Sequence, residues 1–363
     1  MTRRTVTEPS SNSVVARHTG AGRYATDASR YPTDAGESTL EHVSNVDTRP
    51  PLLERGGRSE IGAGPVHELI PGRIAALAPG TDVRRLLPTL GRRLGGAWCF
   101  LDHYGPDDVS ASAGMQVPPH PHTGLQTVSW LFEGEVHHRD SLGSDVTFGP
   151  GQLGLMTAGH GITHSEQSPV PHPILLHGTQ LWVALPESAR DRPPAWEFQP
   201  SLPEVDADGA RVRIVLGEFG GQRSAASTYS PIVGLDVTLA AATSTQIALE
   251  PDFEYAAVAV SGGPDVDGVA VPIGSLLYLG AGRRSLRLSG VRDSHLMLVG
   301  GEPFEEQVVM WWNFVGRSHE EIEEFRSRWQ EHERFGDVAG WHGTRLDAPS
   351  LPASRLKPRS RRR

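Results

Sequence analysis

Cysteine is almost missing from this chain: among 363 residues there is one, Cys99. A single thiol forms no disulfide within the chain and no thiolate cluster for zinc or iron-sulfur binding, so any metal must be held by histidine, carboxylate or water. Long hydrophobic runs are lacking as well. No window reaches the ~18 consecutive apolar residues of a membrane span, and the opening residues, MTRRTVTEPSSNS, carry basic side chains without the apolar stretch of a secretory signal. The expectation is a cytoplasmic protein with no membrane partner. Net positive charge is lacking too, because 34 Lys+Arg stand against 43 Asp+Glu for a formal charge of −9. That balance argues against nucleic acid as a partner. The exception is the arginine-rich end, RLKPRSRRR, which could attract phosphates but reads more plainly as a solvated tail.

What the chain does have is glycine, proline and histidine: 41, 29 and 16 residues. Residues 1–60 are rich in Ser, Thr, Gly and Asp without an apolar period and read as a disordered extension. Over 61–190, short apolar runs such as AWCFL, Thr127 to Phe132 and Leu181 to Leu185 are punctuated by Gly and Pro, the spacing of an all-β sandwich or barrel. Within it, VSWLFEGEVHHRD predicts a hairpin turning at Glu133-Gly134. Residues 191–211 are proline-rich and read as a linker. A second β-rich block, 212–316, contains RVRIVLGE, YAAVAV and HLMLVGG. The spacing then predicts a helix over 317–336, with Ser318 as N-cap, Glu321 at the capping-box position and Ile322, Phe325 and Trp329 at helical spacing. Residues 337–363 read as a basic disordered tail.

The chemistry is concentrated in two short segments. In PPHPHTG, an extended backbone sends His120 and His122 to the same side, with Pro121 facing away. GITHSEQ repeats the spacing with His164 and Glu166. One such histidine pair alone is also the pattern of exposed strand residues. Two pairs separated by 42 positions, room for a hairpin and one more strand, point to a metal site at the mouth of one small barrel. Three neutral imidazoles and one carboxylate around a six-coordinate divalent ion would leave two positions for water or substrate, an arrangement for catalysis rather than structure.

The remaining candidates are weaker. His137 and His138 are adjacent, face opposite sides of a strand and are expected in solvent, with at most one reaching the site. His160 lies in a glycine-flanked turn, where a rim position is the functional alternative. His103 and His177 receive no role. Cys99, inside AWCFL, reads as a buried inert thiol, and Trp311-Trp312 as core rather than a ligand-stacking pair.

The run HPHTGLQTVSWLFEGEVHHRDSLGSDVTFGPGQLGLMTAGHGITHSEQSP, with LDHYGP upstream and the segment from Gly301 through the helix, resembles the pirins of the cupin superfamily. The resemblance covers residues 62 to 336. It implies an all-β chain of two tandem cupin jelly-roll barrels with a C-terminal helix and one metal, usually iron, in the first barrel. The family's ligands fall on His120, His122, His164 and Glu166; manganese, nickel, cobalt, copper and zinc accept the same donors. The second barrel is expected without metal, and His295 is the only histidine between Val212 and Gly300. Where cupins often carry a further glutamate ligand, this chain has Gln126, which cannot be an anionic donor. The resemblance implies an Fe(II)-dependent quercetin 2,3-dioxygenase acting on an aromatic flavonol, with Glu166 as catalytic base, or a non-catalytic metal- or redox-dependent protein that binds transcriptional or metabolic partners. A monomer is expected.

Overall fold

The computed structural model describes residues 65–78 and 81–360. The disorder expected over 1–60 lies outside the described residues, as do 361–363. Among the described residues no helix is long and apolar enough to cross a membrane.

The strands of the first half are β1 (Glu68–Pro71), β2 (Arg73–Ala78), β3 (Thr81–Leu87), β4 (Trp98–Asp108), β5 (Gln116–His122) and β6 (Leu125–Glu133). There follow β7 (Val136–Asp140), β8 (Asp145–Phe148), β9 (Leu153–Thr157), β10 (Ile162–Gln167), β11 (Leu175–Ala184) and β12 (Ala195–Gln199). They build a seven-stranded sheet in the order β12-β9-β6-β11-β4-β3-β2 and a four-stranded sheet in the order β5-β10-β7-β8. Val83, Tyr104 and Leu131 of the larger sheet meet Val117, Val136 and Phe148 of the smaller one in a shared core. The second half repeats the plan. Its seven-stranded sheet includes Ala210–Leu216, Ile232–Leu239, Glu254–Ser261, Ser275–Gly280 and Ser294–Gly301, and its four-stranded sheet includes Thr243–Ala248 and Ser285–Gly290.

The two barrels are joined through their larger sheets. Leu101, Val128 and Leu181 of the first pack in one cluster with Val258, Leu276 and Val299 of the second. Stretches covered on both faces have no polar alternation, which is why WCFL in β4 and LWVA in β11 read as continuous apolar runs. Trp98 ties the joint by direction as well as area: its indole N–H is shared between the carbonyls of Val233, at 3.3 Å, and Gly300, at 3.1 Å.

Several boundaries depart from the sequence reading. Glu133-Gly134 is not a hairpin turn. β6 is already flanked by β9 and β11, and β7 by β8 and β10, so the chain leaves one sheet and enters the other at this corner. Gly134, with φ +89°, makes the corner possible, since a Cβ there would lie 2.5 Å from the Leu175 carbonyl oxygen. The segment 191–211 is not a linker: β12 extends the first barrel, and Glu204–Ala207 pairs with Ala210–Leu216 of the second. β1, within 61–190, pairs with Ser275–Gly280 and so belongs to the second barrel's sheet.

The helix α1 (His319–Gln330) is shorter than 317–336 but starts as expected. Ser318 Oγ accepts the Glu321 N–H at 3.2 Å, and Glu321 Oε2 accepts the N–H of Arg317 at 2.7 Å. Ile322, Phe325 and Trp329 join Trp311, Trp312 and Phe314 in a C-terminal core. The disordered tail expected from 337 does not hold for 337–360. Ala348 and Leu356 are buried in that same core, Leu346 and Leu351 pack against it, and Arg359 bridges to Val308. Apolar residues scattered without a period give no sequence signal, yet each finds a place on the aromatic cluster.

Candidate metal centre

β5 and β10 run antiparallel with His164 opposite His120 and Ile162 opposite His122, so the two histidine segments come together on one sheet. The register then slips between His164 and Glu166, whose partner is Val117. Pro118 and Pro119 fall in the slip; proline donates no ladder hydrogen bond, so a bulge is the natural accommodation. The three imidazoles are wholly buried, with ring centroids 4.9 Å apart for His120 and His122, 4.4 Å for His120 and His164, and 5.0 Å for His122 and His164.

The hydrogen bonds assign the protons. His120 Nδ1 is 2.9 Å from the Pro118 carbonyl oxygen and His122 Nδ1 is 3.0 Å from that of Asn313. A carbonyl only accepts, so both Nδ1 atoms carry the hydrogen and donate it. Nε2 is then the bare lone pair on each ring. Nε2 of His120, His122 and His164 is buried without a hydrogen-bond partner among the described residues, and these residues offer ligand atoms within 4.8 Å of one another. Burial holds His120 down to about 4 and His122 and His164 well below the usual range, so all three are neutral at pH 7. Three converging, dehydrated Nε2 atoms, those of His120 and His122 bare by their Nδ1 bonds, are costly when unsatisfied, and a divalent transition metal fits them.

Glu166 stands beside this group rather than within it: its ligand atom clusters with His164 and His138. Its Oε1 accepts the Ser129 hydroxyl at 2.8 Å, and burial pushes its carboxyl up to about 7. Gln126 lies outside the cluster and donates to Thr157 Oγ1 and the Ser227 carbonyl.

His138 is the residue that the sequence reading placed in solvent and the structure buries. Its ring stacks on Trp196 of β12 at 3.7 Å and 8°, and its Nε2 lies 3.1 Å from Asp140 Oδ2. The signal was present: His138 and Asp140 are two apart, the spacing of the other two pairs. His137, on the opposite face, pairs with Asp145. His160 remains in its turn, where its carbonyl accepts from Arg334. His103 and His177 meet each other instead, Nε2 to Nε2 at 2.9 Å, and Phe132 packs between His177 and His295 of the second barrel. Cys99 is buried, with its thiol pushed up to about 12, and Trp311 and Trp312 are core residues. Among the described residues, both groups able to hold an ion lie in the first barrel.

Two jelly-roll barrels in one chain, the first with a buried histidine cluster on its smaller sheet, define a two-barrel cupin. Residues 80–183 match the Pirin family and residues 234–336 match the pirin C-terminal cupin domain. The chain belongs to the pirin family, as the resemblance implied. A Pseudomonas aeruginosa protein whose name gives it as a candidate quercetin 2,3-dioxygenase is 42% identical over 284 residues, 78% of this chain and 90% of its own length. The crystal structure of a quercetin 2,3-dioxygenase from Acinetobacter baumannii superposes with a TM-score of 0.77 at 40% identity, covering 79% of this chain and 96% of that one. A bacterial pirin from Escherichia coli in complex with nickel(II) gives a TM-score of 0.53 at 19% identity, over 66% of this chain and 100% of that one, and shows the shared fold.

Proposed function

We propose that this pirin holds one divalent transition metal on His120, His122 and His164, with Glu166 as fourth donor, and acts as a dioxygenase that opens the ring of a flavonol such as quercetin. The observation that carries the metal is the set of three buried, converging Nε2 atoms without a hydrogen-bond partner among the described residues. Iron(II) is our assignment, on the family resemblance, and a set of imidazoles with one carboxylate suits it. When bound, such an ion supplies Lewis-acid polarisation of a chelating oxygen and the redox chemistry with dioxygen. The residues do the rest. Glu166, oriented by Ser129 and held up to about 7 by burial while no ion is bound to it, would take the flavonol hydroxyl proton once released from the ion. Trp182, edge-on to His122 at 5.1 Å and stacked on Phe100, presents an apolar flank that excludes water.

A second reading, a metal- or redox-dependent regulatory protein, is supported by the burial of all three imidazoles, since such a shell shields an ion from solvent. One experiment separates the two: metal content of protein purified without chelators or a metal-affinity tag, then oxygen uptake with a flavonol panel on the same sample. About one ion per chain with metal-dependent uptake supports the dioxygenase. Metal without uptake leaves the regulatory reading, and no metal in any preparation overturns both.

A further inference from the structure

His164 differs from the other two imidazoles in its Nδ1 partner. His120 and His122 each donate to a main-chain carbonyl, whose role is fixed. His164 Nδ1 instead faces His138 Nδ1 at 3.4 Å, and an imidazole nitrogen can donate or accept. Which way that contact runs decides whether the His164 proton sits on Nδ1 or on Nε2, the atom aimed at the cluster.

We propose that Asp140, acting through His138, sets the tautomer of His164 and keeps its Nε2 bare for the metal; the inference rests on the metal reading above. Asp140 Oδ1 accepts two main-chain N–H groups, from Leu142 at 2.9 Å and Ser144 at 3.0 Å, which fixes the carboxylate and aims Oδ2 at His138 Nε2. His138 therefore carries its hydrogen on Nε2 and offers a lone pair at Nδ1. His164 must donate from Nδ1, and Nε2 is left free. Trp196 keeps the His138 ring from turning by stacking along its face. The device lies entirely in β7, β10 and β12, and its two ends are 3.1 and 3.4 Å contacts between buried side chains. Partners of this kind to a metal-bound histidine typically contribute about 10- to 100-fold in affinity.

Asp140→Asn makes a sharp test. The two main-chain donors hold the amide oxygen where Oδ1 was, so the amide NH2 must face His138 Nε2. His138 then moves its hydrogen to Nδ1, His164 must accept there, and the His164 proton is driven onto Nε2. His138→Phe keeps the stack on Trp196 but offers no acceptor. The measurement is cobalt(II) affinity of the full chain by chelator competition, with ring ¹⁵N shifts of His164 reporting its tautomer and thermal unfolding of the metal-free proteins as the fold control. We expect each variant to bind cobalt(II) about 10- to 100-fold more weakly. Adding Asp140→Asn to His138→Phe should have no further effect, because the influence of the carboxylate passes only through that ring. Undiminished affinity in both single variants, or full additivity in the double variant, overturns the relay alone. Absence of cobalt(II) binding to the wild type overturns the metal reading and the relay with it.

Discussion

The Asn313 carbonyl oxygen lies 3.0 Å from His122 Nδ1, 191 positions away in sequence, so the C-terminal hairpin sets the tautomer of a residue in the first barrel. The hairpin pairs Val309–Trp311 with Phe314–Gly316, and its turn places Trp312 at φ +53°, the left-handed region that bulky residues avoid. Tertiary packing holds this geometry: Trp312 is buried against Trp311 and Phe314.

Trp312→Ala should therefore act in two ways. Loss of a buried tryptophan should cost about 3–5 kcal/mol in urea unfolding. In the fraction that remains folded, cobalt(II) affinity should fall, because the carbonyl that orients His122 loses its support. A variant that is destabilised but binds metal as tightly as wild type would show that the hairpin braces the fold and not the ligand.

Removing ligands should separate binding from chemistry. His122→Ala deletes one of the three converging Nε2 atoms and should strip most of the metal from the purified protein; full occupancy would refute the site. Glu166→Gln leaves the three imidazoles in place and should bind metal more weakly, and at metal loading matched to wild type its flavonol-dependent oxygen uptake should drop about 10²-fold or more, the contribution typical of a positioned base. Unchanged uptake in that variant would remove Glu166 from the mechanism.

Acid should loosen the molecule where the barrels meet. Burial holds His103 down to about 3 and His177 to about 4, with His295 and Arg84 adding repulsion; Glu133 Oε2 is the facing carboxylate, 4.0 Å from His177 Nδ1. In the unfolded chain both titrate near 6.5, a typical histidine value of about that size. Between those limits the unfolded state binds more protons, so stability rises with pH. The contribution is fully present above about pH 6.5 and is lost as pH falls towards 4 and then 3. Buried His120 has the same sign, so the check is a comparison: in metal-free protein, a His103→Gln/His177→Gln double variant should lose less unfolding free energy than wild type from about pH 7 to about pH 5. Equal slopes would place the proton linkage elsewhere.

Gly134→Ala tests the corner between the sheets. With φ +89° and a 2.5 Å approach to the Leu175 oxygen, the new methyl group meets both backbone strain and a main-chain atom. The left-handed conformation alone costs an alanine about 1–2 kcal/mol. The urea midpoint should fall by at least that equivalent; an unchanged midpoint would mean that the corner can relax.

The pairing of His120 and His122 with His164 was legible because strand alternation and spacing act locally and leave a pattern in the sequence. The corner at Gly134 was not, since the same glycine serves a hairpin or a change of sheet, and the choice depends on β9 and β11 already flanking β6. His138 escaped because its burial depends on Trp196, which lies among prolines in a segment that reads as linker and is only half-buried along its strand. Leu346 and Ala348 escaped for a related reason: their hold on Trp329 and its neighbours follows no period that a sequence can display.

β1 precedes every strand of the first barrel, yet it forms the edge of the second barrel's larger sheet, with Leu69 opposite Leu277. A gene cut between the barrels would leave the downstream product without its border strand and the upstream product with a strand that has nothing to join. The second barrel, in which no group able to hold an ion is found among the described residues, thus completes its sheet only with a strand that the first half of the chain supplies.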